Sequence, residues 1–406
     1  MSTTIVKKLV PYIRRVNSDV KHNLKIDAIS SVSFGVFAGA FYPFFAVVAV
    51  RLGAAGTLLA LITAAPYMGQ LFAVYWGHRS DQNSKKLPFV VYGGMISRIL
   101  IIVLAFTRDV NFFALLVILH FLFASISGPA YTSLIRKIYP IKYRGQILGG
   151  IQFIIGMVRV GVTYIAGIWL DSHGFTPLFL AAGLAGILTS TIYTKIKEPH
   201  EGENERRKFS LGKSMEFMKS DKLLRIAITG FFIFELGNLL LAPVYPFVQV
   251  NILNLTNSQI ARLSIFWIMG WFSTAPYWGW LIDRYQPRYT ILISIILFTG
   301  APLIYFLGLP YPALMLASFL NGAAGSSLQI GWVNLMMKLG GKNSSQYSGI
   351  YLTMLGIRGV LGPLLGNLLS GIIDIRYIFL VAIVLILSGL IPIIFLGKNE
   401  KKLQEC

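Results

Sequence analysis

The chain has 406 residues, of which 55% are hydrophobic and only 13% charged, and its mean hydropathy is +0.67. A soluble protein cannot conceal that much apolar surface, because its exposed face must be largely polar. The formal net charge of +20 would suggest a nucleic-acid partner in a soluble protein, but the placement of the basic residues gives it another origin.

Apolar runs of about 20 residues recur along the whole length, enough for each to cross ~30 Å of hydrocarbon as a helix. They are continuous rather than alternating, which indicates helices and not a barrel. In chain order the spans read 27–50, 55–77, 87–107, 112–135, 146–170, 175–194, 223–250, 259–281, 289–308, 312–337, 346–373 and 377–397. The expected fold class is therefore all-α: a polytopic membrane protein of twelve transmembrane helices. Only Arg51, Arg108, Arg262 and Arg376 fall on one side of the membrane, and Arg98, Arg159 and Arg358 fall inside spans. The rest of the 36 Lys and Arg stand on the other side, which the positive-inside rule makes cytosolic, with both termini there. The positive charge thus reads as a topogenic signal and a contact with membrane lipid, and no nucleic acid is expected.

Ahead of the first span, segment 1–26 carries Lys7, Lys8, Arg14, Arg15, Lys21 and Lys25 and looks like the charged start of a signal peptide. The apolar run behind it is too long for such a signal, so an uncleaved basic segment is expected. The sole cysteine, Cys406, leaves no disulfide framework and no thiolate metal site. The longest polar stretch, 195–222, divides the spans into bundles at 27–194 and 223–397, with a short tail at 398–406.

The bundles are copies. "FYPF" at 41–44 returns as "VYPF" at 244–247, placing Tyr245 203 residues after Tyr42. "WGHRSDQNSKK" at 76–86 returns as "WGWLIDRYQPR" at 278–288, with Gly279 and Asp283 each 202 residues after Gly77 and Asp81. Gly156 and Gly356 are 200 apart. Both halves begin on the same side, so this is a parallel repeat. The loop after the second helix resembles the signature loop of the major facilitator superfamily. Gly77, Asp81, Lys85 and Lys86 match it, with Gln82 and Ser84 departing from it. Gly279, Asp283, Arg284 and Arg288 match in the second half, with Gln286 departing, and Arg144-Gly145 is also similar to the family pattern. The resemblance covers residues 24–397 and implies a secondary transporter of two six-helix bundles. Its cavity would be lined by the first, fourth, seventh and tenth helices and flanked by the second, fifth, eighth and eleventh.

Polar and aromatic residues at helical spacing fall on those spans: Thr63, Tyr67 and Gln70; His120, Ser127 and Tyr131; Gln152, Arg159 and Thr163; Glu235, Asn238 and Tyr245; Trp267, Trp271, Thr274 and Trp278. Asn321 on the tenth span joins them. Substrate-binding candidates are Arg159, Arg358, Tyr67, Gln70, Tyr131, Gln152, Asn238, Tyr245, Trp267, Trp271 and Asn321. Pro43 and Pro246 are expected to kink the first and seventh helices near their outer ends, which makes Tyr42, Pro43 and Pro246 either a twin outer gate or simple interfacial packing. Asp81 and Asp283, with Gly77, Gly279 and Arg284, read either as latches that hold the cytosolic side shut or as solvated loop charges. "GVLGPLLG" at 359–366 reads as close helix contact.

Charges inside spans are costly and mark function by default. Arg98, on the third span, reads as a structural anchor. Arg159 and Arg358 take similar places in the two halves. They are either a pair of anion ligands or partners within their own halves, Glu235 then answering Arg358 and no acid answering Arg159. Glu235 is the first candidate for proton coupling and His120 the second. The glycine run "NGAAGSS" at 321–327 lacks the Lys-Ser/Thr of a phosphate loop, and no catalytic or metal-spaced set is assembled. Neither an enzyme nor a cofactor is expected; Asn254-Leu255-Thr256 is a glycosylation triplet on the outer side. The expectation is a monomeric, proton-coupled exporter of small amphipathic organic compounds in the cell membrane. An organic-anion carrier using Arg159 and Arg358 is the alternative, and a non-transporting sensor or scaffold is a more distant one.

Overall fold

The computed structural model describes residues 18–199, 221–340 and 344–396. They form twelve long helices: α1 (Ser18–Arg51), α2 (Gly56–Asp81), α3 (Leu87–Ala105), α4 (Val110–Ile138), α5 (Ile141–His173), α6 (Phe175–Tyr193), α7 (Lys222–Ile252), α8 (Asn257–Arg284), α9 (Pro287–Phe306), α10 (Tyr311–Gly340), α11 (Ser344–Ser370) and α12 (Ile375–Leu396). Ten of them are long and apolar enough to cross a membrane. The other two, α8 and α10, have polar faces that carry Ser264, Trp267, Ser318 and Asn321 into a cavity. Most of the linker, the first 17 residues and the tail beyond 396 lie outside the described residues.

Local signals set the helix ends. Asp109 accepts the Phe112 amide at 2.7 Å ahead of α4, and Thr256 and Gln259 form a reciprocal capping box on α8. Asp221 caps α7 through the amides of Leu223 and Leu224 and also accepts the Tyr347 hydroxyl of α11. In both halves a proline stands in the first turn after the signature loop, Pro88 in α3 and Pro287 in α9, where its missing N–H has no helical acceptor to lose.

Proline also breaks the first and seventh helices, at different registers. In α1 the turn covers residues 42–44, centred on Pro43. In α7 it falls at 241–243, and Pro246 sits inside the short helical piece Val244–Phe247. The expected kink at Pro246 is thus displaced to Pro243, because the second half has two prolines where the first has one. A π-helical turn at Val248–Ile252 follows, with Leu253 reaching back to the Val248 carbonyl at 2.8 Å.

Packing repeats the duplication. In the first half α1 meets α5 and α6, α2 meets α4, and α3 meets α4 and α6; in the second α7 meets α11 and α12, α8 meets α10, and α9 meets α10 and α12. The halves join through α2 with α11 and α5 with α8, pairs that exchange under the same pseudo-symmetry. The α8–α10 crossing is close enough that a Cβ on Gly270 would collide with the Phe319 carbonyl, and one on Gly322 with the Trp267 carbonyl.

The apolar core shows which end is shut. One buried cluster runs through both halves at the outer end, with Phe41, Phe44, Val47 and Val48 against Leu240, Val244, Val248 and Leu263. At the basic end each half has its own cluster, one around Trp332 and Phe231 and the other around Leu134 and Tyr139. The two halves are closed together at the end away from the basic loops and parted at the basic end.

Candidate functional site

Polar contacts reinforce the outer closure. Arg51 of α1 donates to Asn257 Oδ1 at 3.0 Å and to the Leu255 carbonyl at 2.8 Å. Asp171, at the end of α5, accepts the amides of Asn257 at 2.8 Å and Ser258 at 3.0 Å and the Ser258 hydroxyl at 2.5 Å. That carboxylate lies on the N-terminus of α8, where free amides and the helix dipole favour an anion. Asn367 donates to Thr57 across the halves at 3.1 Å. Neither Arg51 nor Asp171 stood out as a contact in the sequence, since their partners lie 86–206 residues away and are backbone groups and common polar side chains with no local signature.

Beneath this closure lies a cavity of about 450 Å³ between the halves. Of the sequence candidates, Tyr42, Pro43, Tyr67 and Arg159 line it from the first half, and Tyr245, Pro246, Trp267 and Asn321 from the second. Its polar groups are partly pre-paired: Trp267 Nε1 donates to Asn321 Oδ1 at 3.1 Å, and Gln249 Nε2 to the Tyr305 hydroxyl at 2.8 Å. Tyr245 packs edge-on against Tyr305 with ring centroids 5.0 Å apart. Arg159 is different. Its guanidinium carbon is 5.9 Å from the centre of the Trp267 ring, its buried Nε has no hydrogen-bond partner, and no described acid lines the cavity.

Arg358 has the opposite environment. It pairs with Glu235 at 3.3 Å, lies 3.5 Å from the centre of the Phe231 ring, and donates to the Phe231 carbonyl at 3.3 Å. Asn238 also bonds Glu235. Both ions are almost fully buried within the second half, between α7 and α11. The pair does not line this cavity, so Arg358, Glu235 and Asn238 are brought together with one another and not with Arg159 in the shared space. The glycines of 359–366 serve helix contact, Gly359 against the Tyr67 ring and Gly362 and Gly366 against α7.

His120 is fully buried among Phe37, Phe41 and Phe121. Its Nδ1 lies 2.8 Å from the Ser97 carbonyl; a carbonyl only accepts, so that nitrogen carries the hydrogen. The ring lines neither cavity. Gln70 is exposed on α2 and Trp271 packs on Trp267 at 5.2 Å; both stand outside the cavity lining as well.

A second cavity, of about 350 Å³, lies inside the first half among α1, α3, α4, α5 and α6, and holds Tyr131 and Gln152. Asp27 is there too, only 2% exposed, accepting the Tyr139 hydroxyl at 3.0 Å. Burial, and then the Asp27 charge beside it, keep the Tyr139 phenol protonated well above its ordinary range, so it is a fixed donor to the carboxylate.

At the basic end Asp283 is exposed and touches no partner among the described residues, and Arg284 lies 5.7 Å from the Trp280 ring. Gly77 packs on Pro129, whereas Gly279 faces open space. Gly77 thus touches α4 of its own half, and its counterpart Gly279 has no such neighbour among the described residues. The Asp81 side chain lies outside the described residues. Sequence reading also missed Glu198, which accepts the amides of Lys86 at 2.7 Å and Leu87 at 2.9 Å at the N-terminus of α3 and lies 3.7 Å from Lys137. Its signal was present: Glu400 follows it by 202 residues, the repeat offset.

Comparison with known proteins agrees with this architecture. The bacterial homolog to the human lysosomal transporter Spinster, solved in an inward-facing and unoccupied conformation, superposes with a TM-score of 0.71 at 12% identity, covering 95% of this chain and 98% of that one. The nucleoside transporter NupG gives 0.70 at 13% identity, with 93% and 98% covered. A D-xylose-proton symporter gives 0.68 at 12%, with 93% and 97% covered. Identities this low speak for the fold alone. Among curated proteins none matches the sequence. The family model of the Major Facilitator Superfamily matches residues 28–274 and 228–405, nearly the whole duplicated unit. With two six-helix bundles, a shared central cavity and one closed end, the chain belongs to the major facilitator superfamily and has the fold of a membrane transporter.

Proposed function

We propose that the protein is a secondary transporter of small amphipathic organic anions, working by alternating access, with Arg159 as the anion ligand. The observation that carries this reading is a half-buried guanidinium in the cavity between the halves, its Nε unpartnered, with no carboxylate among the described residues to answer it. An unpaired cation at membrane depth is expensive, and a planar fork of N–H donors suits a carboxylate or phosphate. Around it, Trp267, Tyr67 and Tyr245 give apolar faces with polar edges. This narrows the cargo expected from the sequence, amphipathic compounds in general, toward its alternative, an organic anion. Arg358, held by Glu235, is left out of the binding role.

The mode we assign is proton-coupled export. A weak organic acid enters a bilayer in its neutral form and is held inside as the anion, since a bare charge does not cross hydrocarbon; removal then needs a carrier. Glu235 is the coupling group if its contact with Arg358 loosens in the other conformation, because only a group whose proton affinity differs between states moves the equilibrium. Binding of amphipathic carboxylates to purified protein, followed by tryptophan fluorescence, tests the cargo. Arg159→Gln should weaken binding at least tenfold, with Arg159→Lys intermediate. Unchanged affinity in Arg159→Gln refutes the anion assignment.

A further inference from the structure

The two cavities share one wall side chain. Tyr42 lines both the space between the halves and the chamber inside the first half. Arg159 faces the former and Arg98, on α3, the latter. The sequence marks Arg98 as an anchor, but its surroundings are not those of a satisfied one. It is 8% exposed, and its guanidinium carbon lies 3.9 Å from the centre of the Phe37 ring. Its hydrogen bond is to its neighbour Ser97, Nη1 to Oγ at 2.8 Å. A guanidinium offers five N–H donors, and no carboxylate among the described residues is within ion-pair distance of Arg98 or Arg159.

We infer that the cargo carries two anionic groups, one held by Arg159 between the halves and the other by Arg98 inside the first half, with its chain passing Tyr42. The inference rests on the anion-carrier reading and names the class of anion: a flexible dianion such as an α,ω-dicarboxylate. The chamber around Arg98 has space for it, with Ser127 and Thr189 in the lining. Asp27, which also lines this chamber, does not oppose the dianion. It stands at the basic end of α1, ten residues before Phe37, or roughly 15 Å along the helix axis.

The test is a binding titration on the purified full-length protein, read by tryptophan fluorescence. The probes are succinate, adipate, suberate and sebacate, each against the monocarboxylate of the same chain length. In the wild type, at least one dicarboxylate should bind tenfold or more tightly than its monocarboxylate partner. Arg98→Gln should abolish that preference and leave monocarboxylate affinity in place, with Arg98→Lys restoring part of it; Tyr42→Phe serves as a second variant should Arg98→Gln fold poorly. A purely structural Arg98 would lower the melting temperature and leave the preference intact, which would overturn the inference. Equal affinities at every chain length in the wild type would also overturn it, while Arg159-dependent binding of monocarboxylates would leave the anion-carrier reading standing. Carboxylate binding indifferent to Arg159 would overturn both.

Discussion

Replacing Asp171 by Asn should open the outer side. In the closed state its two oxygens accept three hydrogen bonds from the first residues of α8, so it links α5 of one half to α8 of the other at the point where they must separate. A net hydrogen bond is worth about 0.5–1.5 kcal/mol and an anion at an exposed helix N-terminus about 0.3–1 kcal/mol. Asp171 is exposed, which reduces both terms, and Asn keeps part of the hydrogen bonding. We take about 1–2 kcal/mol for the whole change, a factor of about 5–30 in the ratio of open to closed forms. With Cys406, the only cysteine, replaced by Ser, a cysteine at Ser264 in the cavity wall reports on the opening. A membrane-impermeant maleimide added from the outer side should label it about 5–30 times faster in Asp171→Asn. Arg51→Gln, which loses its contacts with Asn257 and Leu255, should act in the same direction. An unchanged labelling rate in both variants, with the fold intact, would refute the assignment of this contact as the outer gate.

Other perturbations probe the remaining parts. Glu235→Gln should abolish gradient-driven transport yet leave substrate binding, because Glu235 does not line the cavity; full proton-driven transport would remove it as the coupling group. Asp283→Asn should increase labelling of cavity cysteines from the basic side, since Asp283 has no partner among the described residues in the conformation open to that side and loses its latch only in the other; equal labelling would leave it a solvated loop charge. Gly270→Ala should lower the melting temperature by several degrees, as overpacking costs about 1–3 kcal/mol and the added carbon meets the Phe319 carbonyl; an unchanged melting temperature would mean that α8 and α10 separate freely.

How far these features could be read from the sequence follows from what periodicity encodes. Spacing of apolar residues fixed the helices, and the near-constant offset fixed the two bundles, because both depend on chemistry local to the chain. Spacing also placed Tyr67, Arg159, Tyr245 and Trp267 on faces that meet in one cavity. It could not say which residues touch across the halves. The Asp171 contact needs α5 and α8 to be close at one end, which is a property of the conformational state. The break at 241–243 was misplaced because Pro243 and Pro246 offer two registers for one kink. Spacing alone could not place the Arg98 head group, because the third helix is peripheral as an element while its long side chain reaches inward over Phe37 to a cavity wall.

The duplication itself separates function from scaffold at the two equivalent arginines. Arg159 and Arg358 stand in matching stretches of α5 and α11, but among the described residues only α7 places an acid beside its arginine. At offsets of 202–203 residues from Glu235, α1 has Ser33 and Val32. If this guanidinium were needed to hold a six-helix bundle together, both copies would need its counterion. The second half has the pair, buried and stacked on Phe231, and removing one member should leave the other charge stranded, at about 3–5 kcal/mol. In the first half Arg159 has no counterion to strand. Arg358→Gln should therefore lower the melting temperature markedly, whereas Arg159→Gln should leave it near the wild-type value or raise it, since a costly buried charge is gone. The double variant Glu235→Gln/Arg358→Met should recover much of the loss. Equal falls in melting temperature for Arg159→Gln and Arg358→Gln would show Arg159 to be a structural ion whose compensation lies within its own half, and the case for an anion held between the halves would fall with it.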